Sequence, residues 1–464
     1  MTLSNLTTTK NIAKIKFNTP NILKTSLYLT WFLSLITLTT TITGIQGQRQ
    51  AIKTVGEDAT SSIVIAQRLK DAMLGMDANV ANELLLPYGQ NKGAIEGYQE
   101  RYEKVAERLV LAAKNINFGD KEEKPILIMQ RGFGEYLTKI QQARDAHARG
   151  DINNTLIPYR AAIAVMEQKL LPAADELDKV NSEALDNTYN SQKSSVRQSL
   201  LKIVFLGLLL TAILVGTQVF LSNRTKRNIN PLLLLATIIN IGFLNHTVGV
   251  FFSASQNLRT AKEDAFDSMH NLRQARASIY IAHAAESHYL LDKGLAEKYE
   301  QVFYDNIDKI ASFPNTRNFN IIIAEVKQNI NSGNKTVNFT GFMANQLNNI
   351  TFEGEKEATL QNLAALGQYV SIDQQMRQLV KGGKYQEAIV IALGNEPNKS
   401  TWAFWQLLQA NNKVFDINDQ EFKQAIETAQ KGTQGIETTA SIVLISVSLM
   451  TLFGLMPRLK EYSA

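Results

Sequence analysis

The chain has 464 residues, a net charge of +5 and no cysteine, so disulfide frameworks, thiol catalysis and thiolate metal sites are excluded. Four long uncharged stretches exclude a soluble globular enzyme. The mean hydropathy of −0.13 also excludes a transporter that lies mostly within the membrane.

Each uncharged stretch is long enough to cross a bilayer, which requires about 20 mostly apolar residues. The stretches cover residues 25–48, 203–223, 228–258 and 438–457. We therefore predict transmembrane helices at residues 25–48, 200–222, 231–254 and 438–457.

The first 24 residues are predicted to be a cytoplasmic leader, because they contain lysines and no acidic residue. A basic leader before an apolar stretch also fits a cleaved signal peptide. Residues 42–47 provide no Ala-x-Ala-like cleavage site, and the apolar stretch is long. An uncleaved anchor is therefore favoured.

Residues 49–199 are predicted to form a four-helix bundle. The first and last helices carry apolar or small residues in alternating steps of three and four, the pattern of helices packed knobs-into-holes. These positions run from Ile52 to Val80 and from Leu156 to Ala184. Two shorter helices lie between them, with breaks near Gly89, Gly119 and Gly150. Pro158 and Pro172 predict a bend in the last helix, and a tolerated kink is favoured over a functional hinge.

Basic residues in short flanking segments predict the orientation in the membrane. The leader, the connector at residues 223–230 and the tail at residues 458–464 together hold more net positive charge than the whole chain. We therefore place both termini and the connector in the cytoplasm. Residues 49–199 and 255–437 are then extracytoplasmic.

The second half repeats parts of the first. Glu57-Asp58-Ala59 recurs as Glu263-Asp264-Ala265. At a second fixed offset, six identical residues of the segment 134–150 recur in the segment 367–383. The second motif and its copy lie further apart in the chain than the first motif and its copy. This difference predicts an Asn-rich insertion in the second half, near residues 315–351. The chain is thus predicted to be a tandem repeat of span, bundle and span.

This plan resembles the four-helix-bundle sensor module of bacterial chemoreceptors and related membrane sensors. The resemblance also involves Ala146-x-x-x-Gly150-Asp151 at the entry to the last bundle helix. It covers about residues 25–222 and, more weakly, 230–457, where the turn reads Lys381-Gly382-Gly383-Lys384. Chemoreceptors continue into a cytoplasmic signalling coiled coil, which this sequence does not contain, so we expect partner proteins to supply the output. Family modules commonly work as homodimers, and the repeat predicts a covalent pseudo-dimer.

Arg68 and Arg276 lie on the equivalent first helices of the two bundles. The resemblance implies that such arginines hold a small anionic ligand at the bundle interface. The alternative is that both are solvated surface residues, and nothing in the sequence separates the two interpretations.

Asn240, Asn245 and His246 lie inside the third predicted span. Polar side chains in hydrocarbon usually face the protein interior. Hydrogen bonding between helices, next to Gly242 and Gly249, is favoured over a proton or ion path because the other spans offer no charged partner.

Five histidines are too few and too scattered to predict a metal cluster. His283, Glu286 and His288 approach the H-x-x-E-H pattern of a metalloprotease, but the spacing is one residue too long. A polar layer at a helix interface is favoured, and we expect neither a metal nor a cofactor.

The sequence predicts a non-enzymatic, all-α protein of the bacterial cytoplasmic membrane, with two extracytoplasmic four-helix bundles as a tandem repeat. Its predicted partners are the lipid bilayer, one or more membrane proteins and a possible small periplasmic ligand, but no nucleic acid. The favoured function is relaying a periplasmic signal to partner membrane proteins. The alternatives are a structural or anchoring subunit and, less favoured, a transport accessory protein.

Overall fold

The computed structural model describes residues 18–225, 229–314, 319–331 and 338–461. Within these ranges the chain is helical and has no named β-strand, which confirms the predicted all-α class. Most of the predicted leader, Lys226 and Arg227 of the connector, parts of the Asn-rich insertion and the last three residues of the tail lie outside the described ranges.

The α-helices are, in chain order, α1 (Thr19–Lys53), α2 (Ala59–Leu84), α3 (Lys92–Lys114), α4 (Asp120–Ala148), α5 (Ile152–Val165), α6 (Leu171–Thr225), α7 (Pro231–Arg259), α8 (Asp267–Leu291), α9 (Ala296–Ile310), α10 (Phe319–Asn331), α11 (Phe342–Asn348), α12 (Glu355–Lys381), α13 (Tyr385–Leu393), α14 (Ser400–Thr433) and α15 (Ile436–Glu461). π-Helical turns at Thr54–Asp58, Met166–Leu170 and Thr260–Phe266 join consecutive helices without a loop.

Four helical runs are long and apolar enough to cross a membrane: Thr19–Leu84, Ile152–Arg224, Pro231–Leu291 and Ser400–Glu461. The four predicted spans lie within these runs. The fold is therefore that expected of a multi-pass membrane protein.

The chain divides into two compact units. The span unit comprises the described residues of Met1–Gln50, Ser191–Ser255 and Gln430–Ala464. The bundle unit comprises the described residues of Ala51–Asn190 and Gln256–Ala429.

Leucines from all four helices of the span unit form its core, among them Leu27, Leu210, Leu233 and Leu444. Polar contacts define which helices are neighbours. Arg49 of α1 donates to both carboxylate oxygens of Glu437 at 2.6 and 2.9 Å, so α1 and α15 lie side by side. The Asn230 amide donates to the Gly454 carbonyl at 2.7 Å, which places α15 beside the start of α7.

In the bundle unit, α2 to α6 of the first half contribute Met73, Met129, Tyr136 and Leu170 to a core that also contains second-half residues such as Leu290 of α8. The helix ends follow the local sequence. Asn91 caps α3 by accepting from the Ala94 N–H at 3.2 Å, and Asp151 caps α5 by accepting from the Asn154 N–H at 3.1 Å. Gly150 precedes Asp151 with φ +74°, a conformation that favours glycine.

A π turn lies in the stretch where Pro158 and Pro172 predict a bend. Pro172 has no N–H to donate to the preceding turn. Directly before it, the Leu171 N–H bonds to the Met166 carbonyl, five residues back, and so closes the π turn Met166–Leu170. Pro158 lies within α5 without interrupting it.

The second half of the bundle unit contains α8 to α14. A further core includes its residues Tyr280, Phe303, Tyr369 and Leu407, together with Leu74 of α2. The predicted Asn-rich insertion contains the helices α10 and α11. The last helix of this half is broken between α13 and α14, at residues 394–399. Helices α2 and α8 pack against each other, so the two halves share one unit.

Candidate functional site

A cleft of about 730 Å³ opens in the bundle unit between α2, the π turn Thr260–Phe266, α8 and α14. Phe266, Phe415 and Phe422 are among its apolar lining residues, and uncharged polar and charged side chains also line it. The volume lies within the range of roughly 300 to 1,000 Å³ that is typical of small-molecule sites. The cleft is therefore the candidate ligand site.

Three arginines line this cleft. Arg68 comes from α2, whereas Arg273 and Arg276 come from α8. The structure thus brings Arg68 and Arg276, the two arginines singled out in the sequence, into one cleft, and it adds Arg273.

Asp71 is the buried carboxylate beside these arginines. Arg276 Nε donates to Asp71 Oδ2 at 2.9 Å, and Arg273 Nη1 lies 3.5 Å from the same oxygen. The Asp71 side chain is only 6% exposed. One carboxylate therefore faces two guanidinium groups in a partly desolvated setting.

The local charge exceeds what Asp71 can balance. Burial lowers the pKa of Arg273, with Arg276, Arg68 and Arg108 acting in the same direction and Asp71 opposing them. Burial likewise lowers the pKa of Arg108, and neighbouring arginines add to that effect. A partly desolvated group of like charges is the setting in which a bound anion is favourable.

Two arginines that line the cleft have side-chain donors that no described residue uses. Arg273 Nε is buried and has no hydrogen-bond partner among the described residues. Arg68 is exposed, and its side chain forms no ion pair with any residue in the described ranges. These groups could donate to the oxygens of an anion without breaking a contact.

Acidic side chains at the rim are partly neutralised. Asp419 pairs with Lys423, one turn further along α14. Asp416 is the other acid in the lining. The basic lining residues Arg68, Arg273, Arg276 and Lys423 outnumber these two acids, so the lining keeps a net positive charge.

A cluster of polar side chains around Glu286 is buried in the core of the second half. Tyr369 donates to its carboxylate at 2.6 Å, and Ser400 donates at 2.7 Å. His283 Nδ1 lies 3.2 Å from Glu286 Oε2. His288 instead lies 3.5 Å from Asp77 of α2. The two histidines of the metalloprotease-like pattern therefore contact different carboxylates.

Asp373 lies near Glu286 and accepts from Arg377 Nε at 2.8 Å. Burial raises the pKa of Asp373 to about 7; Arg377 opposes this rise, and Glu286 contributes to it. In the unfolded chain the pKa of an aspartate carboxyl is about 4.

We expect the stability of the fold to decrease as the pH rises from about 4 to 7, because only the folded state keeps the Asp373 proton in that window. Asp373→Asn should flatten this part of the profile. The measurement is the melting temperature of the full chain between pH 4 and 8. An unchanged slope in the variant would contradict the assignment.

The three polar residues of the third predicted span, Asn240, Asn245 and His246, lie on two different faces of α7. Asn240 is fully buried and donates to the Gly207 carbonyl at 3.1 Å and to Thr211 Oγ1 at 2.8 Å, both on α6. Asn245 and His246 are exposed on the outer side of the span unit. Asn240 thus forms a hydrogen bond between helices, whereas the other two point away from the described neighbours.

Residues 51–190 match a protein-family model described as an actinobacterial sensor domain. No curated protein and no solved structure matches the chain. The sensor-domain match spans the first half of the bundle unit. It includes Arg68 of the cleft and Asp71 beside it, and the other half supplies Arg273 and Arg276.

Arg273 and Asp71 were not predicted from the sequence. Arg273 lies one helical turn before Arg276 and therefore shares its face of α8. Asp71 similarly follows Arg68 by three residues on α2. That spacing was the available signal, but only the packing of α2 against α8 brings the two pairs together.

Proposed function

We propose that the chain is a non-enzymatic membrane sensor that binds a small anion in the cleft and relays binding to partner membrane proteins. The sensor-domain match and the four apolar helices support a membrane sensor. The observation that carries the ligand assignment is that Arg68, Arg273 and Arg276 line one cleft, where Arg273 and Arg276 share the buried carboxylate of Asp71.

A tandem repeat of the bundle is part of this proposal. The first π turn begins at Thr54, and the third begins at Thr260, the position that the Glu-Asp-Ala repeat predicts. Gly150 and Gly383 both have positive φ, and the next residue in each case donates to a carbonyl five residues back. Two copies of one ancestral unit would share such local geometry.

Buried tyrosines at matching positions also support the repeat. Tyr136 and Tyr369 are both fully buried, and each hydroxyl donates to a buried carboxylate on the first helix of its own half. These carboxylates are Asp77 on α2 and Glu286 on α8.

The repeat makes the chain a covalent pseudo-dimer of sensor modules, with the ligand at the interface between halves. The cleft takes Arg68 from one half and Arg276 from the other. In the span unit, the contact of Arg49 with Glu437 places the ends of the first and fourth spans together, as a pseudo-dimer requires.

We assign the chain to a bacterial cytoplasmic membrane, with both termini inside and the bundles in the periplasm. The basic leader and connector support this orientation. Relay to a partner would use displacements of the long helices, of which α6 runs uninterrupted from Leu171 to Thr225.

The binding test is a melting-temperature screen of the purified full chain in mild detergent. We expect small carboxylates, sulfate or phosphate to raise the melting temperature, because a ligand that binds only the folded state stabilises it. Neutral analogues such as the matching amides serve as controls. Equal shifts with anions and amides, or no shift at all, would contradict an anion sensor.

The alternative function is an anchoring subunit of a membrane or envelope complex. A pull-down in mild detergent, analysed by mass spectrometry, separates the two functions. A sensor is expected to show anion-dependent recovery of a partner, whereas an anchor copurifies with a complex regardless of anions. Recovery of the chain alone under both conditions contradicts relay and anchoring alike.

A further inference from the structure

The outer face of α7 carries a second heptad seam that no described helix covers. Six exposed residues follow one another in alternating steps of three and four, which is the spacing of a coiled-coil interface. They are Leu235, Ile238, Gly242, Asn245, Gly249 and Phe252. The buried residues of α7, such as Leu233, Asn240 and Phe251, lie on the opposite side and pack within the span unit.

Asn245 lies at the centre of this seam, within an apolar run that is long enough to cross a membrane. Its side chain has no hydrogen-bond partner among the described residues, and neither does that of the adjacent His246. Lipid tails offer no hydrogen bonds, so an amide on this face is costly unless another protein helix covers it. Asn240, by contrast, already has partners on α6.

Gly242 and Gly249 flank Asn245 by one turn on either side. A Cβ atom built at either glycine would meet no atom within 4 Å. The glycines are therefore not required for packing within the span unit. Small residues at this spacing allow the backbone of a second helix to approach closely.

We propose that this seam is the interface between two copies of the chain, joined through parallel α7 helices. The Asn245 amide is both donor and acceptor, so it can pair with its own counterpart across a two-fold axis. A single Asn in an otherwise apolar seam fixes the register of two parallel helices. The seam carries no acid or base that would require an oppositely charged partner. The inference does not depend on the proposed sensor function.

Cysteine cross-linking tests the interface, because the chain has no native cysteine. Ile238→Cys lies on the seam, and Leu208→Cys, on α6, is an equally accessible control off the seam, at 57% and 59% exposure. Oxidation of membranes that contain the full chain should give a band at twice the monomer mass for Ile238→Cys, and several-fold less for Leu208→Cys. Equal cross-linking of the two variants would overturn the proposal.

Substitutions within the Ile238→Cys background test the mechanism. Asn245→Leu should reduce the dimer fraction by about threefold to tenfold. Gly242→Ile should abolish dimerisation by blocking close approach, whereas Gly216→Ile, at an exposed and equally open position of α6, should not. Dimers unaffected by Asn245→Leu and Gly242→Ile would contradict the seam.

Purified chain in lipid nanodiscs or liposomes distinguishes a second copy from another protein. The proposal predicts that the purified chain alone gives the Ile238→Cys dimer. A monomer in liposomes, together with a cross-link to a different protein in cells, would show that the seam serves another membrane helix and would overturn the homodimer.

Discussion

Asp71→Ala is expected to lower the free energy of unfolding of the bundle unit by about 3 to 5 kcal/mol, because it removes the partner of a buried charge pair. Asp71 is the carboxylate that Arg273 and Arg276 share. Without it, two largely buried guanidinium groups remain uncompensated. Melting of the full chain in mild detergent, followed by tryptophan fluorescence, measures the loss.

The same variant tests the chemistry of the cleft. In Asp71→Ala, a bound anion can replace the missing carboxylate, so sulfate should raise the melting temperature more than it does in the original chain. Asp175→Ala is the matched control, since Asp175 is an exposed aspartate paired with Lys70, and it should cost less than about 1 kcal/mol. Equal sulfate effects in all three proteins would argue against an anion site beside Asp71.

Glu286→Ala is expected to cost a similar ~3 to 5 kcal/mol, for a different reason. The Glu286 carboxylate accepts hydrogen bonds from Tyr369 and Ser400 and contacts His283, all in the buried core of the second half. Alanine would leave these polar groups buried without their partner. Thermal melting of the full chain measures the effect.

Glu286→Gln is the conservative comparison, because its amide oxygen still accepts a hydrogen bond, and it should lose clearly less stability than Glu286→Ala. Glu387→Ala, which removes an exposed partner of Lys384, should change stability little. If Glu286→Ala melted like Glu387→Ala, the buried cluster would contribute nothing to the fold.

The sequence predicted the helices well where the apolar pattern is long and periodic. On the last helix of the first half, Tyr159, Ile163, Met166, Leu170 and Leu177 are buried as the heptad pattern predicts. Beyond Leu177 the buried face shifts to Asn181 and Leu185, each one residue after the predicted positions Val180 and Ala184. A straight α-helix has 3.6 residues per turn, so its buried face drifts away from a strict 3.5-residue repeat.

The second half was harder to predict, because its last helix departs from the first copy. The break between α13 and α14 lies where the first half has the uninterrupted stretch leading to the π turn Met166–Leu170. Gly394, Pro397 and Asn398 lie in this break, and Asn398 has a φ of +65°. Such turn residues indicate a break locally, whereas the equivalent residues of the first half are helical.

The candidate site was predictable only in part, for a similar reason. Arg68 and Arg276 can be chosen from the sequence because the resemblance points to the first helix of each bundle. Their meeting in one cleft depends on how α2 packs against α8, which local periodicity does not determine. In the third span, periodicity alone did not show that Asn240 faces inward and Asn245 outward.

The most direct test of the proposed sensor is isothermal titration of the full chain with the anion that gives the largest melting shift. Arg68→Ala should weaken binding about tenfold, because a charge-assisted hydrogen bond contributes about 1.5 to 3 kcal/mol. The melting temperature without ligand should stay unchanged, since the Arg68 side chain forms no ion pair with the described residues. Arg131→Ala, an exposed arginine on α4 that does not line the cleft, should bind like the original chain. Equal affinities for the original chain, Arg68→Ala and Arg131→Ala would contradict anion sensing in this cleft.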